Sequence, residues 1–157
     1  MHYQPQRHLL QDRIILVTGA SDGIGREAAL TYSRYSASVI LVGRNEEKLR
    51  GVAQEIEQAG GIPASWFTLD LLTCTPQECQ QLAQKIAIHY PRLDGVLHNA
   101  GLLGDVCPMD QQKPEVWQQV MQVNVNGTFM LTQALLPLLL KSESGSLVFT
   151  SSSVGRQ

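Results

Sequence analysis

The sequence predicts an α/β fold built on a doubly wound parallel sheet, and three observations predict it. Short apolar, β-branched runs alternate with helical patterns in the order β-α-β-α-β-α-β-α-β. The strand runs are apolar at successive positions, so both faces of each strand need cover, and helices must lie on both sides of the sheet. A glycine-rich turn follows the first strand, at the carboxyl edge where open parallel sheets bind ligands. Right-handed crossovers then give a doubly wound sheet, and the strand order 3-2-1-4-5 is expected. With 157 residues and no repeat or linker, residues 1–157 read as one dinucleotide-binding domain.

The elements follow one another clearly. Ile14-Ile15-Leu16-Val17, closed by Thr18-Gly19, is a fully buried first strand. Ile24, Ala28, Tyr32 and Tyr35 recur at helical spacing, and Ser38 to Val42 forms the second strand, ended by Gly43. Leu49, Val52, Ala53 and Ile56 fall on one helical face, which Gly60-Gly61 terminates. Trp66 to Leu69 supplies the third strand. Cys79, Leu82, Ala83 and Ile86 mark a third helix, with Thr75 as its N-cap and Pro76 in its first position. Leu93 to Leu97 is the fourth strand, a single long helix is expected over Pro114 to Lys141, and Ser146 to Thr150 is the fifth strand.

Composition excludes several function classes. Twelve Lys and Arg against 14 Asp and Glu give a net charge of −2, with no general field for nucleic acid or an anionic membrane. Hydrophobic residues at 43% and charged residues at 17% exclude a disordered chain. The longest apolar run, Ala134 to Leu140, falls far short of the ~18 residues that span a bilayer. Met1 to Asp12 shows no apolar core of a secretory signal. Cys74, Cys79 and Cys107 match neither a disulfide framework nor a zinc pattern, so free thiols and a cytoplasmic location are expected. His2, His8, His89 and His98 fall in no metal-binding pattern.

The turn after the first strand reads Thr18-Gly19-Ala20-Ser21-Asp22-Gly23-Ile24-Gly25. Its spacing, G-x3-G-x-G with no following Lys, excludes a nucleoside-triphosphate loop. Its physics is that of a dinucleotide turn. Gly19 permits a tight exit from the strand, Gly23 lets the backbone approach a pyrophosphate, and Gly25 lets the helix pack close to the sheet. The helix N-terminus then offers N–H groups and a positive dipole end to an anion.

Four motifs occur in order on the expected elements: this glycine turn, Asn99-Ala100-Gly101 after the fourth strand, Asn124 within Val123-Asn124-Val125 on a helix, and serines ending the fifth strand. Together they make nearly the whole chain resemble the short-chain dehydrogenase/reductase family. The resemblance implies a Rossmann-like sheet, a nicotinamide cofactor, a small carbonyl or alcohol substrate, and a homodimer or homotetramer. It implies cofactor contacts from Gly19, Ser21, Asp22, Gly23, Ile24, Gly25, Asp70, Leu71, Asn99, Ala100 and Gly101. Asp70 would bind adenine and Leu71 lie against its ring; the lesser alternative is that Asp70 only caps a turn. The usual Asn-Asn-Ala-Gly appears here as His98-Asn99-Ala100-Gly101, which puts one side-chain hydrogen bond in doubt. His98 is expected to be packed and hydrogen-bonded rather than a base.

The second strand selects the cofactor. It ends Leu41-Val42-Gly43-Arg44-Asn45, without the acid that would grip the ribose of NAD. Arg44 instead suits a 2′-phosphate, so NADP is favoured over NAD, unless Arg44 merely pairs with Glu46 or Glu47. Asp22 argues the other way, because many NADP-preferring relatives carry a basic residue there.

For catalysis the resemblance implies that Asn124 completes a water relay and that a Ser orients the substrate oxygen. Gly155 selects Ser152 through Ser-x-x-Gly, with Ser151 and Ser153 still open. The Tyr-x3-Lys motif, whose Lys would lower the Tyr pKa, does not occur. The resemblance therefore implies that the chain is the first three-fifths of a family member, incomplete at its C-terminal end and inactive alone. Strand five should be left as an edge, with Met121, Phe129 and Leu135 exposed. A non-catalytic nucleotide-sensing module is the alternative, but it would need neither Asn124 nor Ser152. A methyltransferase on a similar sheet would need the missing acid after strand two.

Overall fold

Each apolar run finds a parallel partner in the computed structural model, which describes residues 5–152. The elements are β1 (Ile14–Thr18), α1 (Gly23–Arg34), β2 (Ser38–Gly43), α2 (Glu46–Gln58), β3 (Ser65–Thr68), α3 (Pro76–His89), β4 (Gly95–His98), α4 (Pro114–Met121), α5 (Thr128–Leu139) and β5 (Ser146–Phe149). The sheet order is β3-β2-β1-β4-β5, all parallel, as expected.

Successive strand residues feed two separate cores. Leu16, Ile40, Val42 and Val96 pack with α3 and α5 on one face. Val17, Val39, Leu41 and Leu97 pack with α1 and α2 on the other. This two-sided burial explains why the strand runs are continuously apolar.

Two expectations need correction. Pro114 to Lys141 is not one regular α-helix: the helical run ends at Leu139 and changes type within. α4 and α5 are separated by a π-helical segment, Gln122–Gly127. There the Thr128 hydroxyl donates to the Val123 carbonyl (3.1 Å), and the Gln122 amide donates to the Leu71 carbonyl (3.2 Å). The wider turn adds about one residue within a continuous helical run, so apolar periodicity does not reveal it. Leu135 is fully buried rather than exposed, because α5 turns Leu131, Leu135, Leu138 and Leu139 onto the sheet. Met121 is half-buried, while Phe129 is exposed and β5 does form an exposed edge.

Two buried polar side chains tie the sheet together. Asp94, just before β4, accepts from the Ile14 N–H (3.0 Å), Arg92 Nε (2.8 Å) and the Ser142 hydroxyl (2.6 Å). Burial pushes its carboxyl up, but the Arg92, Ser142 and Ile14 hydrogen bonds outweigh burial and hold it at about 2. His98 ends β4, stacked on Phe149 of β5 with ring centroids 5.1 Å apart. Its Nε2 lies 2.9 Å from the Thr132 hydroxyl, which donates its own proton to the Thr128 carbonyl (2.7 Å). Nε2 must therefore carry the imidazole proton. Nδ1 is buried without a hydrogen-bond partner among the described residues. Burial lowers the His98 pKa from 6.5 to about 4.

These shifts set an acid-stability profile. His98 folds neutral, so its contribution is intact above pH 6.5 and is lost as pH falls to about 4, a loss of about 3 kcal/mol. Asp94 folds ionised, so its contribution is intact above its ordinary 3.8 and is lost as pH falls toward 2, a further loss of about 2 kcal/mol. Urea unfolding followed by circular dichroism between pH 7 and 3 should show both limbs, and His98→Asn should flatten the first. A His98→Asn variant with an unchanged pH 7-to-4 slope would refute this account.

Candidate cofactor and active site

The loops leaving β1, β2, β3 and β4 meet at the carboxyl edge of the sheet around a cleft of about 470 Å³. The first wall is the glycine turn. Gly19 has φ +65°, and a Cβ there would lie 2.9 Å from the Ala100 Cα. A Cβ on Gly25 would collide with the Gly19 carbonyl oxygen and the Asn99 amide. Side chains at either place would force the turns after β1 and β4 apart. Thr18 joins those turns: its buried hydroxyl accepts the N–H groups of Asn99 (3.0 Å) and Ala100 (3.1 Å). The Asn99 side chain in turn accepts from the Thr150 hydroxyl (3.3 Å), which brings in the end of β5.

Asp22 caps α1 by accepting the Gly23 N–H (2.8 Å). Its other oxygen accepts from Lys48 Nζ (2.8 Å), and the Lys48 and Gly23 hydrogen bonds lower its pKa. Lys48 thus offsets the one acid in the glycine turn. Arg44 lines the cleft, and among the described residues it pairs with neither Glu46 nor Glu47. Its guanidinium is uncommitted.

Asp70 does cap a turn, since Oδ1 accepts the Leu72 N–H (3.0 Å), and its carbonyl accepts from Thr73 and Cys74. Oδ2 has no hydrogen-bond partner among the described residues and is free for a ligand. A cleft this size, with an uncommitted guanidinium suited to a phosphate and a half-used carboxylate suited to a hydrogen-bond donor, fits a dinucleotide.

Comparison with known proteins decides the family. The short chain dehydrogenase family model matches residues 13–157. The chain belongs to the short-chain dehydrogenase family. It is 78% identical over 157 residues to the uncharacterized oxidoreductase YciK of Escherichia coli K12, covering all of this chain and 62% of that relative. A short chain dehydrogenase from Shigella flexneri 2a, solved in complex with NADP, superposes with a TM-score of 0.95 at 76% identity, covering 97% of this chain and 64% of that one. One from Escherichia coli CFT073, complexed with NADPH, gives 0.96 at 77% identity, covering 98% and 64%. The chain therefore spans a little over three-fifths of these relatives.

Within this short-chain dehydrogenase frame, Gly19, Ser21, Asp22, Arg44, Asp70, Leu71, Asn99, Ala100 and Gly101 all line the cleft. Gly23, Ile24 and Gly25 do not. Gly25 sits behind the turn, and Ile24 is 71% exposed at the first turn of α1. Asn124 lies in the π-helical segment. Its amide clamps Leu102, with Oδ1 accepting the Leu102 N–H (2.8 Å) and Nδ2 donating to the Leu102 carbonyl (2.9 Å). Ser151 and Ser152 are exposed just after β5. Ser153 and Gly155, on which the choice among serines turns, lie outside the described residues.

Sequence reasoning passed over Thr18 as a side chain and Lys48 altogether. Thr18 was visible as the residue before Gly19. Lys48 was not, because it meets Asp22 across 26 residues.

Thr18→Val should leave two backbone N–H groups without their acceptor and cost about 2 kcal/mol or more, whereas Thr18→Ser should cost less than half of that. Thermal and urea denaturation would measure both. Equal losses would show that the methyl group, not the hydroxyl, matters.

Proposed function

We propose that the chain is the NADP(H)-binding part of a short-chain oxidoreductase acting on a small carbonyl or alcohol, with residues 1–157 forming one dinucleotide-binding domain. The observation that carries the choice of NADP is the uncommitted Arg44 on the cleft wall, beside a Lys48 that offsets Asp22, with no acid ending β2. The Gly19 turn and the α1 N-terminus would hold the pyrophosphate. Arg44 would grip the 2′-phosphate with charge-assisted hydrogen bonds. Asp70 Oδ2 would accept from adenine, and Leu71 would lie against the ring. The relatives solved with NADP and NADPH support this reading.

When bound, the dinucleotide supplies or accepts a hydride at its nicotinamide. Ser152, or its neighbour Ser151 or Ser153, would orient the substrate oxygen. Asn124 would hold the Leu102 backbone and join a water relay. A sensing module would need neither group, which favours catalysis. The proton-transferring Tyr-x3-Lys is absent from these 157 residues, so this stretch alone is expected to bind cofactor without turnover. Among the described residues no helix is long and apolar enough to cross a membrane. The free thiols favour a reducing, cytoplasmic setting.

Arg44→Ala should weaken NADPH binding about tenfold or more, the ~1.5–3 kcal/mol of a charged hydrogen bond, and leave NADH binding unchanged. Parallel fluorescence titrations check this, and equal losses for both cofactors would sink the assignment.

Phe129 and Leu136 of α5, with Leu140 at its C-cap, are exposed along one stripe. We take that stripe, with the edge of β5, as a self-association surface. Light scattering should show the chain larger than a monomer, and Phe129→Asp should reduce its size. A strictly monomeric chain would remove the oligomer from this proposal.

A further inference from the structure

The approach to α3 reads Cys74-Thr75-Pro76-Gln77-Glu78-Cys79. Thr75 and Glu78 form a reciprocal capping box: Thr75 Oγ1 accepts the Glu78 N–H (3.2 Å), and Glu78 Oε2 accepts the Thr75 N–H (2.8 Å). Helices capped in this way often carry an apolar staple, in which the residue before the cap packs on the fourth helical residue. Here both staple positions are cysteine. Their sulfurs lie 3.9 Å apart, and both side chains are buried.

The pair is placed between two clefts. Cys74 forms part of the wall of an outer cleft of about 520 Å³, between β3 and α3, which extends to Arg44 and Asp70. Cys79 is fully buried beneath it. The thiols form a chain: Cys79 S–H donates to Cys74 Sγ, and Cys74 S–H donates to the Leu71 carbonyl (3.8 Å). Leu71 lines the proposed cofactor cleft.

We propose that Cys74 and Cys79 are a modification site for a peroxide oxidant, which converts the staple at the start of α3 into a disulfide and weakens the Leu71 wall of the cofactor cleft. The coupling rests on the cofactor reading given above. Cys74, on the cleft wall, loses its proton and attacks one peroxide oxygen. The O–O bond breaks, a sulfenic acid forms, and the departing hydroxide is protonated to water. The Cys79 thiolate then attacks that sulfur, the S–O bond breaks, and a second water leaves. Two electrons and two thiol protons pass to the peroxide, leaving one disulfide and two waters.

Closing the sulfurs from 3.9 Å to the ~2 Å of a disulfide moves Cys74 and removes the S–H that serves the Leu71 carbonyl. The Cys74 N–H donates to the Asp70 carbonyl (2.9 Å), so the movement reaches the Asp70 turn as well. Burial, with Glu78 and Asp70 nearby, pushes the Cys74 thiol up. Burial and Cys74 push Cys79 up to about 12. Both thiols therefore stay protonated near neutrality, and the pair responds to sustained rather than trace oxidant.

The test uses the 157-residue chain carrying Cys107→Ser, treated with hydrogen peroxide, then examined by peptide mass mapping and NADPH titration. Cys74 and Cys79 share one tryptic peptide, residues 51–85, with no internal Lys or Arg. That peptide should become two hydrogens lighter and recover with dithiothreitol. Oxidised protein should bind NADPH about fivefold more weakly, the size of one ordinary hydrogen bond. Cys79→Ala, which keeps a small apolar group in the staple, should give neither change. Mapping the chain with both cysteines in place carries the claim if that variant does not fold. An unmodified pair, a Cys74 sulfinic acid beside a free Cys79, or a disulfide that leaves NADPH affinity unchanged overturns the proposal. Reduced protein that fails to bind NADPH overturns the cofactor reading instead, and with it the coupling, whatever the mass shows.

Discussion

The Thr18 hydroxyl takes two hydrogen bonds from the backbone of Asn99 and Ala100, and those bonds require the turns after β1 and β4 to lie in backbone contact. Only residues without a Cβ allow it. A methyl group on Gly19 would meet Ala100, and one on Gly25 would meet Gly19 and Asn99. The cleft follows from this contact, because α1 can begin beside the sheet only when its first turn nests against the β1 exit. The segment that leads into α1, Ser21 and Asp22, thereby lines the space bounded by Asp70, Leu71 and Gly101. The same contact reaches β5 through the Thr150 hydroxyl on Asn99. The glycine turn is thus a packing constraint first, and its capacity to hold an anion is a consequence of that packing.

A second constraint acts through charge. The glycine turn carries one carboxylate, Asp22, which would by itself repel a phosphate. The Lys48 ammonium lies 2.8 Å from it, one turn into α2, while Arg44 stays unpaired at the end of β2. Lys48 therefore offsets Asp22, and among the described residues Arg44 lines the cleft without an ion-pair partner. The net charge of the chain, −2, says nothing of this local field, since charges a few ångströms away outweigh those across the molecule.

The far wall is held by the π-helical segment between α4 and α5. Gln122 reaches the Leu71 carbonyl, and Asn124 binds both backbone groups of Leu102. One widened turn therefore supports both Leu71 and the segment following Gly101. π-Helical turns are rare and concentrate at functional sites. This one sits where the resemblance to the family places a catalytic Asn.

Much of this was legible in the residues. Continuous apolar runs such as Ile14 to Val17 could only be strands buried on both faces, and Thr75-Pro76 announced the start of α3. Gly19 and Gly25 marked a close approach, and Gly43-Arg44 marked the missing acid. Each of these is a local property, settled by side-chain shape and backbone freedom within a few residues. The tertiary structure decided what depends on distant partners: the Lys48–Asp22 pair, the Thr132 anchor and Phe149 stack that hold His98, the burial of Leu135, and the π turn around Asn124. Spacing along the chain carries no information about these, because each joins residues that come together only once the sheet has assembled.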